Sequence, residues 1–155
     1  MCTVVAYQPI HHAGVIDTVQ TVYREYGWQW EAHGYHRDLY TIEDYYIGSG
    51  GMFWVALDGE RVVGCAGVTV HLPESELHRL YLLPEVRGRG LGRRLLDTTM
   101  AYARDKGSRR MIAWSDVVLK EAHALYLKNG FVQEGQRLCS DPDKSTEFGF
   151  WKEPL

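Results

Sequence analysis

The stretch that most constrains this chain runs from Glu76 to Arg94, ELHRLYLLPEVRGRGLGRR. Its residues prescribe a strand, a glycine turn and a helix start, in that order. Glu76 to Leu83 alternates loosely and is rich in Leu and Tyr, as a half-buried strand is. Pro84 has no N–H for a central ladder and stops the strand. Arg87-Gly88-Arg89-Gly90-Leu91-Gly92 then sets three glycines at alternate positions, just before the helical spacing of Leu91, Leu95, Leu96 and Tyr102. Glycines there let the backbone turn tightly and approach a ligand with no Cβ in the way. The first turn of the following helix has N–H groups without internal partners. Together with the helix dipole, they favour a phosphate or pyrophosphate.

Three anion-binding loops compete for this stretch. The P-loop ends in Gly-Lys-Ser/Thr, which is missing here. The dinucleotide fingerprint G-x-G-x-x-G requires a third glycine where Arg93 stands. What remains is R-G-x-G-x-G after a strand ending in Tyr-Leu-Leu-Pro. Alone, such a loop can be a glycine turn flanked by solvated arginines. A second motif lies about 35 residues beyond it, Ala122-His123-Ala124-Leu125-Tyr126-Leu127-Lys128-Asn129-Gly130-Phe131. This too, alone, is an amphipathic helix with a glycine cap. In this order and spacing the pair resembles the GNAT superfamily of acyl-CoA-dependent N-acetyltransferases, with its pyrophosphate loop and its A-x-x-L-Y-x-x-x-G-F signature. The resemblance is close from about Leu72 to Phe131 and architectural elsewhere.

The rest of the chain accords with one domain over residues 1–155, a length sufficient for a proper core. A net charge of −3 argues against a nucleic-acid-binding surface. No apolar run approaches the ~18 residues of a membrane span, and Met1-Cys2-Thr3 opens no signal peptide. Cys2, Cys65 and Cys139 are odd in number and far apart, which points to a reducing cytoplasm rather than a disulfide framework or zinc pattern. Thr3–Tyr7 reads as a first strand, Ile10–Tyr26 as a helix, and Asp38–Ile47 as a second helix with Asp38 near its N-terminus. Between Tyr23 and Tyr46 lie six of the ten tyrosines, with Trp28 and Trp30. These aromatics either line an acceptor pocket or pack a small subdomain, and the two are compatible. Strands at Met52–Leu57 and Val62–His71 flank the turn Asp58-Gly59-Glu60-Arg61. Gly64 and Gly67 imply close packing or a bulge in the second of them. The Glu76 strand completes an antiparallel meander. A helix over Gly90–Lys106 crosses to a parallel strand at Arg110–Trp114. A last helix, Leu119–Asn129, precedes a hairpin of Val132–Leu138 and Thr146–Trp151. The expected fold class is therefore α/β with a mixed sheet. By resemblance it is a GNAT-like three-layer fold with its central parallel pair splayed at the cofactor site.

The resemblance implies direct attack of an amine on acetyl-CoA, bound as co-substrate. The pyrophosphate-binding residues are then Arg87, Gly88, Arg89, Gly90, Leu91, Gly92 and Arg93. The pantetheine arm pairs with the backbone at Tyr81, Leu82 and Leu83, and an N–H near Leu82 serves the oxyanion. Tyr126 is the acid for the departing thiolate. Glu76 is the favoured base, with His78 or water as alternates, since some family members carry a base glutamate about six residues before the position of Leu82. Even spacing puts Glu76, His78 and Leu82 on one strand face. One departure is plain. The family often carries an Asn seven residues before the tyrosine, where this chain has Leu119, with Ser115 or Asp116 as substitutes. The acceptor is a small amine, amino acid or peptide N-terminus, in a monomer or homodimer with no metal, nucleic-acid or membrane partner. The rival class is a catalytically silent acyl-CoA-binding sensor.

Overall fold

The β-branched and aromatic runs form one seven-stranded sheet in the computed structural model, which describes residues 1–155. The strands are β1 (Cys2–Ala6), β2 (Met52–Asp58), β3 (Arg61–His71), β4 (Glu74–Leu82), β5 (Arg110–Asp116), β6 (Val132–Leu138) and β7 (Thr146–Lys152), and the helices α1 (His12–Tyr26), α2 (Leu91–Asp105) and α3 (Lys120–Lys128). The sheet order is β1-β2-β3-β4-β5-β7-β6. All pairings are antiparallel except β4 with β5. That parallel pair is joined through α2, as a crossover requires. No helix is long and apolar enough to cross a membrane.

Alternation along β2 divides the core into two layers. Trp54 and Ala56 face a cluster built on α2 and α3, including Leu91, Leu95, Leu96 and Tyr126. Phe53 and Val55 face a second cluster with Val15, Val19 and Tyr23 of α1. The three layers are thus helix, sheet, helix, and every strand of the meander is covered on both faces. Gly27, with φ of +71°, closes α1 in the left-handed conformation that glycine adopts without a Cβ clash.

Two expectations require correction. Asp38–Ile47 is not one helix. It is a short tight turn of helix at Arg37–Tyr40 and a wider one at Glu43–Ile47. Asp38 points inward rather than capping a helix, accepting hydrogen bonds from Arg79 and from the Tyr46 hydroxyl. The second correction concerns β4. Gly67 pairs with His78 and Cys65 with Tyr81, so three steps on β4 match two on β3. The extra residue is a bulge on β4, with Arg79 at φ +54°, and it comes in addition to the one expected on β3, where Val63 beside Gly64 is the extra residue against β2. A bulge reverses the face that every later side chain takes. Glu76 and His78 therefore share a face with Tyr81, on the α1 side, whereas Leu82 packs toward the α2 cluster.

The parallel pairing of β4 with β5 covers only Glu74–Leu77 against Arg110–Ala113. Beyond it, β4 follows β3 and β5 follows β7, so the two strands part. The glycines of β3 sit beside this divergence. A Cβ on Gly67 would lie 2.7 Å from Tyr46 Cε1 and 2.8 Å from Phe53 Cδ2, and both rings are fully buried. Gly67→Ala should thus destabilise by about 1–3 kcal/mol through overpacking, outweighing the ~0.5–1 kcal/mol that alanine gains over glycine in a strand. Urea unfolding should show a lower midpoint with an unchanged slope; an equal or higher midpoint would contradict this packing.

Candidate active site

The parting of β4 and β5 opens a cleft, and the sequence-derived residues fall around it on two sides. On one side lies the glycine loop. Gly88 and Gly90 take φ of +75° and +81°, and a Cβ on either would meet nothing within 4 Å. Their requirement is conformational, and the face above them is open. The first hydrogen bond of α2 runs from the Arg94 N–H to the Gly90 carbonyl at 3.1 Å. The amides of Leu91, Gly92 and Arg93 precede it and have no helical acceptor. Arg89 and Arg93 are solvated beside them, and Arg93 is only loosely paired with Asp97 at 3.6 Å. These orphaned amides, open glycines and nearby cations fit a pyrophosphate.

Arg87 does something different. Its Nε and Nη2 donate to the Leu82 carbonyl at 3.1 and 3.0 Å, and its terminal nitrogens grip both oxygens of Glu25 at 2.8 Å each. Its guanidinium is committed within the protein, so Arg87 can face an anion only through its main chain. The Leu83 N–H donates to the Val63 carbonyl at 2.9 Å. Because antiparallel pairs alternate, the main-chain groups of Leu82 turn the other way, toward the cleft. Of Tyr81, Leu82 and Leu83, the free edge is therefore at Leu82, where the N–H is open and the carbonyl is held by Arg87.

The deep end of the cleft is a 60 Å³ cavity bordered by Tyr126, Tyr81, Leu119, Ser115 and Asp116. Tyr126 is buried on α3 against Phe131 and Phe150. Burial, with Tyr81 nearby, pushes its phenol well above the usual range, so it is protonated at any physiological pH. Tyr126 belongs to the core and to the cavity wall at once. Ser115 is hydrogen-bonded to His123 Nε2 at 3.1 Å, and Asp116 accepts from the Val118 N–H at 3.0 Å. Both substitutes for the missing Asn are thus partly engaged.

A second cavity, of 380 Å³, adjoins the first through Leu77, His78, Tyr81 and Trp114. Glu76 lines it. Burial raises the Glu76 pKa; Glu147 on β7 and Glu74 on its own strand add to the rise, while Arg137 on β6 and His71 on β3 oppose it. His78 is held by Thr69, with Nε2 and Oγ1 2.9 Å apart, and stands 3.8 Å from Glu76. Burial and Arg79 together push its pKa down to about 4, so it is neutral near pH 7.

Several residues of this site escaped the sequence reading: Arg79, Asp38, Trp114, Arg137 and Glu147. Arg79 was detectable in principle, because a lone cation inside an apolar strand needs a buried partner. Trp114 packs where a Cβ on Gly149 would come 3.0 Å from its ring. Of the aromatic segment, Tyr23, Trp28, Tyr35 and Tyr45 line the two cavities, while Tyr46 is fully buried packing. Part of the segment therefore lines a cavity and part of it packs the core.

Comparison with known proteins accords with this geometry. N-acetyltransferase 8F1 of Rattus norvegicus is 35% identical over 109 residues, covering 66% of this chain and 49% of that protein. The chain spans about half the length of such curated relatives. A GNAT-family acetyltransferase of Staphylococcus aureus superposes with a TM-score of 0.87 at 21% identity, over 100% of both chains. The PaiA N-acetyltransferase of Thermoplasma acidophilum, solved in complex with coenzyme A, superposes at 0.75 with 16% identity over 99% of both chains. These two share the fold. The profile of the Acetyltransferase (GNAT) family matches residues 18–131, and with that match the chain belongs to the GNAT acetyltransferases.

Proposed function

We propose that the protein transfers acetyl from acetyl-CoA directly to a primary amine. The observation that supports this reading is adjacency: Tyr126 lines the cavity where β4 and β5 part, and Gly92, among the open amides of α2, lies against Leu82 and against Leu125 next to Tyr126, a Cβ on it coming 3.5 and 3.4 Å from their side chains. Bound acetyl-CoA would supply an activated acyl group, with its pyrophosphate on the Gly88–Arg93 amides and its arm along Leu82. The protein's own groups then manage two protons. Glu76 accepts, directly or through a water, the proton that the attacking ammonium must lose. Tyr126 holds a proton at its hydroxyl for the sulfur that leaves. The nitrogen gains the acyl group as the carbon–sulfur bond breaks; of the two protons it sheds between ammonium and amide, Glu76 passes one to solvent before attack, and the second offsets the one that Tyr126 gives to sulfur. Acetyl-CoA-dependent release of free thiol, stimulated by an added amine, tests the reading as a whole; thiol release that no amine accelerates would argue for a binding module instead.

Four variants examine its parts. Gly90→Val forces a β-branched residue to a φ that L-residues avoid at a cost of about 1–2 kcal/mol, so the loop must move. Acetyl-CoA affinity should fall about tenfold or more, as calorimetry on the folded variant would show; unaltered affinity would remove the loop from the site. Tyr126→Phe keeps the ring and its packing. Its kcat should fall by roughly 10²–10⁴ with acetyl-CoA affinity retained, and an unchanged kcat where chemistry limits the rate would exclude the acid role.

For Glu76 the pH profile is the measurement. A base must be deprotonated to act, so kcat/KM should rise with pH through a limb set by Glu76. Because its pKa is raised, that limb lies above the ordinary carboxylate range. Glu76→Gln should abolish the limb, while His78→Ala should preserve it, since His78 with a pKa of about 4 is a poor base. If the limb survives Glu76→Gln, the base is another group.

A further inference from the structure

The 380 Å³ cavity beside Glu76 carries opposite charges on its walls. Glu76 is half-buried, and its one ion-pair contact is His78 at 3.8 Å, which is neutral near pH 7. Its carboxylate is therefore free to take a cation. Arg137 also lines the cavity, lying 4.3 Å over the Trp114 ring. Its Nε donates to Glu147 Oε1 at 3.0 Å, and Glu147 is itself buried. Stacking and that single bond fix the guanidinium plane while using only Nε. Both terminal nitrogens remain without a protein acceptor, and the side chain is 46% exposed. Such a planar fork matches a carboxylate better than an ammonium does. The other arginine on this cavity, Arg79, differs: its Nε and both terminal nitrogens all have partners within the protein.

The remaining wall is aromatic, from Tyr45, Tyr81 and Trp114, with Ser140 also lining the cavity. The volume falls at the small end of ligand cavities, which run from about 300 to 1,000 Å³. It suits one small molecule. Resting on the acetyl-transfer reading above, we infer that the acceptor is a free amino acid, its ammonium taken by Glu76 and its carboxylate by the outer edge of Arg137. A peptide N-terminus or simple amine would leave that edge of Arg137 without its anion, and a polyamine would place a second cation against it.

The test compares L-alanine, β-alanine, L-leucine and L-phenylalanine, each beside its amide and its decarboxylated amine. Thiol release from acetyl-CoA is followed with the parent, Arg137→Met and Arg137→Lys proteins. At least one acid should exceed its amide and amine in kcat/KM by about 10- to 100-fold, the range of a hydrogen-bonded charge pair. Arg137→Met should erase that preference by raising KM for the acid, with KM for acetyl-CoA unmoved as evidence of an intact fold. Arg137→Lys should restore it in part. Amides or amines accepted as well as acids, or a preference that survives Arg137→Met, would overturn the inference while leaving acetyl transfer intact. Calorimetric titration of the same acids separates the two readings further. An acid that binds the parent but not Arg137→Met, with no thiol released, upholds the amino-acid site and overturns its role as acceptor together with the catalytic reading. Absence of both binding and turnover for every acid overturns this inference too.

Discussion

The architecture of the site depends on one buried ion pair. Arg79 donates from Nε and Nη2 to the two oxygens of Asp38 at 3.1 and 2.9 Å, and each side chain is about a tenth exposed. Removing two charges from water costs several kcal/mol each, so such a pair persists only with strong geometry and every remaining valence satisfied. Here both conditions hold. Nη2 also reaches the Tyr35 carbonyl at 3.0 Å, Nη1 the Tyr23 hydroxyl, and the Tyr46 hydroxyl closes on Asp38 at 2.6 Å. Burial alone would raise the Asp38 pKa, but Arg79 overrides it and holds the carboxyl low; burial would lower that of Arg79, and Asp38 reverses this. Arg79 sits at φ +54°, a conformation costing about 1–2 kcal/mol for a residue with a Cβ. The ion pair holds that bulge in place. Without the bulge Tyr81 would turn to the opposite face, away from Glu76 and His78.

A second arginine sets the other side of the cleft by comparable means. Arg87 fastens the glycine loop to Glu25 of α1 and to the last carbonyl of β4. Its charged partner lies 62 residues away in the chain, so the loop is braced by the helix on the opposite face of the sheet. That bond also determines which main-chain groups of Leu82 stay open. The N–H faces the cleft, and the carbonyl is spent. Two arginines on β4 and just beyond it thus divide the labour, Arg79 bending the strand and Arg87 anchoring its end.

This division explains what could be read from sequence. The glycine loop, α2, the crossover and the Ala122–Phe131 helix are local patterns, set by φ requirements and a 3.6-residue period, and they are found where the spacing put them. The bulge was illegible because Glu76 to Leu83 alternates acceptably with or without an extra residue. Its cause lies 41 residues away in Asp38. The segment carrying Asp38 misled for a related reason. Leu39, Ile42 and Tyr46 stand at helical spacing and are all fully buried, yet Asp38 is drawn to Arg79 and the chain breaks into two short turns. Local propensity was overridden by a charge that needed its partner. Arg137 and Glu147 were hidden likewise, since their meaning appears only when β6 and β7 close beside β4 and β5.

The two halves of the site are consequently built in different ways. The side suited to pyrophosphate comes from contiguous chain, one strand end, one loop and one helix start, and it can be read as a motif. The opposite side is a composite of the aromatic segment, β4, and the β6–β7 hairpin. That hairpin loop is tied across to the aromatic segment: the Gln29 N–H and side-chain amide donate to the two oxygens of Asp143 at 2.9 and 3.1 Å, and Cys139 Sγ lies 3.2 Å from the Tyr35 hydroxyl. Burial raises the Cys139 thiol pKa, against the pull of that hydrogen bond, so it serves as a packed contact rather than a nucleophile. Changes in the hairpin therefore reach the larger cavity without disturbing the glycine loop, because the bent strand lies between the two regions. A fold arranged this way can keep the glycine-loop surface fixed while the opposite surface is rebuilt from distant segments, and the strand bent at Arg79 joins the two.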